Sequence, residues 1–96
     1  MENNIIELDF DKTISALAGN DYGYEEYKKQ IKDKFDYDKI NKIIFPDQIK
    51  KVAISFVQGM FADILKIIDK NEIEKYVIIK SSSEQLTRKI VSNIKF

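Results

Sequence analysis

The chain has 96 residues, 44% hydrophobic and 33% charged, with 16 basic and 16 acidic residues and therefore no formal net charge. That is the balance of one soluble globular domain spanning 1–96 with a real core, and it gives no reason to expect general affinity for nucleic acid or membrane. Cysteine and histidine are both absent, which excludes disulfides, thiolate nucleophiles, Cys/His zinc sites and imidazole general bases. Any catalysis would fall to carboxylates, lysine, tyrosine or serine.

Charge is unevenly spread. Residues 1–48 hold seven Lys against eleven Asp plus Glu, a net of minus four, and residues 49–96 hold nine Lys plus Arg against five acids, a net of plus four. Such an electrical polarity suits docking to a partner or weak self-association, so the expected state is a monomer or weak homodimer. The start Met1-Glu2-Asn3-Asn4 is polar, and no apolar run approaches the roughly 18 residues of a membrane span. The expected location is the cytoplasm.

Ile5 to Phe10 alternates with period two, Ile6, Leu8 and Phe10 on one side and Glu7 and Asp9 on the other, and so reads as a strand at a sheet edge. Asp11 to Ala18 fits a short strand or one helical turn. Gly19-Asn20-Asp21-Tyr22-Gly23 reads as a loop, because these residues tolerate left-handed backbone angles; it lacks the Lys-Ser/Thr of a phosphate-binding loop. Tyr24 to Phe35 reads as an amphipathic helix with Tyr24, Tyr27, Ile31 and Phe35 on its stripe. Ile40 to Phe45 is a strand by its β-branched content, ended by Pro46-Asp47. Val52-Ala53-Ile54 is an extended approach to the next element.

Val52 to Ile68 has the densest apolar pattern of the chain. Phe56, Met60, Ile64 and Ile68 form one helical row and Val57, Phe61 and Leu65 its neighbour, which predicts a central helix ending near Asp69-Lys70-Asn71, with Asn71 as its cap and with Phe61 and Leu65 in the core. Ser55, at the start, is placed to cap this helix and to present its hydroxyl at the positive end of the dipole. Tyr76 to Ile79 is nearly continuous in apolar residues, the mark of a strand buried on both faces. Ser82 or Ser83 caps a last helix through Leu86, Ile90, Val91 and Ile94. In sum, the fold class is α/β: a small open sheet, mixed or mainly parallel, of three to four strands with helices packed on it.

Ser55-Phe56-Val57 opening a helix, Asn71 to Ile79 and Ser82-Ser83-Glu84 together resemble the bacterial STAS-like domain family of unknown function, best over Ile43 to Ile94. The resemblance implies a fold like that of anti-sigma-factor antagonists, in which a serine at a helix start is the phosphorylation switch for docking on a partner. It implies a protein partner of the ATP-binding regulatory kinase class, with Ser55 as the switch or partner contact. Ile54 stands where members with the switch carry an aspartate, and the arginine common in the family's glycine-containing turn is missing from Leu17 to Gly23.

The leading expectation is accordingly a non-catalytic interaction or regulatory module, not an enzyme, with no catalytic residues, cofactor or metal. One alternative is a small enzyme working through Asp9, Asp11, Asp21 and Asp47, which fall at strand ends or loops. Another is a small inhibitor of a host protein encoded by a phage or mobile element, suggested by small size and Lys/Ile/Asn-rich usage.

Overall fold

The computed structural model describes residues 3–96; the polar start at Met1 and Glu2 lies outside them. Three strands form one sheet: β1 (Asn4–Glu7), β3 (Asn41–Ile44) and β5 (Val77–Lys80). Their order is β1-β3-β5, all parallel, with rows Asn4/Asn41/Val77, Ile5/Lys42/Ile78, Ile6/Ile43/Ile79 and Glu7/Ile44/Lys80. A second parallel pair joins β2 (Ala16–Leu17) to β4 (Lys51–Val52). The helices are α1 (Asn20–Glu26), α2 (Ile54–Phe61) and α3 (Glu84–Lys95). The molecule is thus an α/β fold with a small open parallel sheet, and β1 takes the expected edge.

Period two carries the core assignment of the first strand past its end. Ile6, Leu8 and Phe10 are all buried, although β1 stops at Glu7. The Leu8 amide still donates to the Ile44 carbonyl at 2.9 Å, and Gln30 then replaces the missing strand. Its side-chain carbonyl accepts from the Asp9 amide at 2.6 Å and its amide donates to the Asp9 carbonyl at 2.8 Å. Gln30 reaches there from a π-helical turn, Tyr27–Ile31, that continues α1. The wide turn, closed by Lys32 N–H to Tyr27 C=O at 2.9 Å, keeps both Tyr27 and Ile31 buried as the stripe requires.

The expected loop at Gly19–Gly23 is instead the first turn of α1, and its two glycines have different reasons. Gly19 takes φ 105°, a backbone state that side chains rarely adopt, just before the helix. Gly23 lies within the helix because a Cβ there would stand 2.1 Å from the Phe56 carbonyl oxygen of α2. Gly59 of α2 reciprocates, its Cβ position falling 2.0 Å from the Asn20 carbonyl oxygen. Glycine at these two crossing points lets α1 and α2 touch main chain to main chain.

The central helix is shorter than its apolar rows. It ends at Phe61, and Ile64–Lys66 and Lys70–Lys75 follow as separate 3₁₀ turns. Phe56, Met60, Ile64 and Ile68 are nonetheless all buried, so the row describes what the core needs and not how far one helix runs. Phe61 is buried as expected, whereas Leu65 is only partly buried. Asn71 is not a C-cap: Asp69 caps the second 3₁₀ turn by accepting from the Asn71 amide at 2.8 Å.

β5 is also corrected. Val77 and Ile79 are buried, but Ile78 is 40% exposed and Lys80 is exposed, because helices cover only one face of the sheet. Ser83 caps α3, accepting from the Leu86 amide at 3.1 Å.

Asn41, in the middle strand, is completely buried. Its Oδ1 accepts from Asn4 Nδ2 at 2.7 Å and from the Asp36 amide at 2.8 Å. Its Nδ2 donates to the carbonyls of Asp36 at 2.8 Å and of Lys39 and Tyr76 at 3.1 Å each. One side chain thereby ties the start of β1, the turn before β3 and the start of β5. Asn41→Ala strands several part-buried polar groups at once and is expected to cost about 2 kcal/mol in urea denaturation; a loss under about 0.5 kcal/mol would show that the network holds nothing.

Candidate functional site

Ser55 is the second residue of α2 and half-buried. It does not cap its own helix. Ala53 occupies the cap position in an extended conformation, without a side-chain hydrogen bond to the first turn. Being one residue inside the helix, the Ser55 hydroxyl points away from the first-turn amides, and its oxygen accepts instead from the Gly19 amide at 3.0 Å. That amide opens α1, so a side chain from α2 holds the entry of the neighbouring helix.

Backbone hydrogen bonds align the approach to Ser55. The Lys50 amide donates to the Ser15 carbonyl at 2.7 Å and the Ala53 amide to the Leu17 carbonyl at 2.7 Å, which aligns β4 beside β2. Below the site lies a triangle of edge-to-face rings: Tyr22 and Phe56 with centroids 5.2 Å apart, Phe10 and Phe56 6.3 Å, and Phe10 and Tyr22 6.5 Å. Burial, with a smaller contribution from Glu26, holds the Tyr22 phenol above its ordinary pKa and keeps it neutral.

Positive charge gathers beside β4 and the start of α3. Lys50, Lys51 and Lys89 line a depression of about 250 Å³ together with Val52, Ser83 and Leu86, and Lys51 opens β4, which ends at Val52, just ahead of α2. The serines of the tail serve local structure: Ser82 donates to the Ile49 carbonyl at 3.0 Å and Ser81 donates to the Ser83 carbonyl at 2.9 Å.

The four aspartates of the carboxylate alternative, Asp9, Asp11, Asp21 and Asp47, are all exposed. The Asp11 carboxyl lies below the usual carboxylate range because the Thr13 hydroxyl and amide donate to it, the opposite of what a proton donor near neutral pH needs. Among the described residues no three Asp or Glu side chains gather as a metal site, and no helix is long and apolar enough to cross a membrane.

A tyrosine cluster was not legible in the sequence as such. The Tyr24 hydroxyl donates to Asp63 at 3.2 Å, its ring stacks on Tyr27, and Tyr37 packs against Phe35. Tyr27 and Tyr37 are both held neutral above their ordinary pKa, by burial first and by Asp63 among the lesser causes. No family model, curated protein or solved structure gives a significant match to the chain.

Ser55→Ala removes the acceptor from a half-buried amide and leaves no competing cap behind. The expected loss is about 1 kcal/mol, with hydrogen exchange at the Gly19 amide accelerated while the first-turn amides of α2 keep wild-type rates. Acceleration confined to the first turn of α2 would instead restore Ser55 as a cap.

Proposed function

We propose that the protein is a non-catalytic interaction module of the STAS-like type, which docks to a protein partner and is regulated at Ser55. The observation that carries this reading is the position of Ser55: half-exposed, at the uncapped start of α2, and joined to the rest of the molecule by its contact with Gly19. A phosphate there adds nearly two negative charges at a positive helix end, downstream of Lys50 and Lys51 on the same chain. Its acquired charge changes the docking surface, and loss of the Gly19 contact loosens the entry of α1 without unfolding the sheet. The partner class that fits is a regulatory kinase able to bind ATP, which would both dock on this surface and modify the serine. Ile54 before the serine sets this chain apart from members that carry an acid there, and points to a kinase that reads the fold more than the preceding residue.

The test is affinity capture from the native host on immobilised wild type, Ser55→Ala and Ser55→Asp, each shown folded by circular dichroism. A partner retained by wild type and Ser55→Ala, with affinity for Ser55→Asp changed tenfold or more, equivalent to about 1.4 kcal/mol, is the expected result. Equal affinity for all three chains would remove the switch.

A further inference from the structure

The sheet has a face that the helices leave open. Its two cross-strand rows are Ile5/Lys42/Ile78 and Glu7/Ile44/Lys80. Ile5 is 50% exposed and Ile78 40% exposed, while Lys42 and Ile44 on the middle strand are partly buried. Three isoleucines therefore lie together on a solvent-facing sheet surface, with acid at one edge and base at the other. Among the described residues neither Glu7 nor Lys80 takes part in an ion pair.

We propose that this face is where two copies of the chain meet, related by a two-fold axis running close to the direction of β3. Such an axis exchanges the two edge strands and leaves the middle strand over itself. Ile5 of one copy then faces Ile78 of the other, Ile44 faces Ile44, and Glu7 faces Lys80 twice. An isologous contact of this kind requires a self-complementary patch, and the register supplies one in both hydropathy and charge. The alternative in-plane axis, across the strands, sets isoleucines against charged side chains and is disfavoured. Lys42 is the one charged residue that meets its own copy; it sits between Ile5 and Ile78 in its row, and a lysine there covers apolar surface with its stem while its ammonium reaches for water.

The area fixes the strength. Three strands of four residues present roughly 200 Å² per copy, from strand spacings of about 4.8 Å and rises of about 3.3 Å. A stable interface takes about 800 Å² per partner. The dimer is therefore weak and populated only when the chain is concentrated, for instance when partners hold two copies side by side. This inference does not rest on the reading of Ser55, which belongs to the helical side of the sheet.

Sedimentation equilibrium of the full chain over a concentration series reaching about 1 mM tests it. The wild type is expected to show a mass rising from monomer toward dimer. Glu7→Lys alone and Lys80→Glu alone are each expected to weaken association tenfold or more, because each sets like charges against one another. An equimolar mixture of these two variants is expected to associate again, since every edge contact in the mixed pair joins opposite charges, and the doubly exchanged chain is expected to behave as wild type. Both positions of charge exchange, Glu7 and Lys80, are exposed on the open sheet face, and circular dichroism verifies the folds. A wild type that stays monomeric throughout overturns the proposal, including the case in which some other protein covers the face. So does a mixture that associates no better than its components.

Discussion

Two hydrogens stand where two side chains would otherwise begin. At Gly23 and Gly59 the helices α1 and α2 approach until a Cβ on either would fall within 2.1 Å of the other helix's main-chain oxygen. Glycine hydrogens in that geometry point at the facing carbonyls, a weak attraction repeated at both crossing points. Neither glycine costs nothing: each lowers helix propensity by about 1 kcal/mol against alanine. The close approach has to return more than that through packing. It does so by letting Phe56, Met60 and Phe61 sink fully into the core and by bringing Phe10, Tyr22 and Phe56 into mutual ring contact.

The proposed switch rests on the same contact. With α1 pressed on α2, the amide of Gly19 comes within reach of the Ser55 hydroxyl, so the serine is coupled to a second helix and not only to its own. The helices all gather on one side of a three-stranded sheet whose middle strand is pinned by Asn41. The other face remains bare, and two surfaces of different character result: a basic depression between β4 and α3 and an isoleucine-centred sheet face with opposite charges at its edges.

Much of this was legible in the residues, and the failures have physical causes. Alternation marked Ile6, Leu8 and Phe10 as one buried side, and helical spacing marked Phe56, Met60, Ile64 and Ile68 as core. Element boundaries were harder, because the apolar row continues through 3₁₀ turns once neighbouring segments supply the burial. Gly23 resembled a loop residue since composition does not distinguish a glycine chosen for backbone angle from one chosen for the absence of Cβ. Ile78 looked buried because an apolar run carries no information on whether both faces of its sheet are covered. Ser55 was found, but its hydrogen bond was assigned to the wrong helix: an N-cap and the residue two places later look alike until the backbone angles of Ala53 are seen. Asn41 gave a signal that went unread, a polar residue in phase with the buried Ile43 and Phe45.

The central claim is that the two glycines hold α1 on α2, and chemical denaturation of Gly59→Ala measures it most directly. Helix propensity alone predicts a gain of about 1 kcal/mol for this exchange, while the close approach predicts the opposite sign. The account requires a loss of about 3 kcal/mol or more, since the added methyl meets main chain that cannot swing aside as a side chain would. Gly23→Ala should lose a similar amount, and the double variant less than the sum, because both act on one contact. A stability equal to or above wild type for Gly59→Ala would contradict the account.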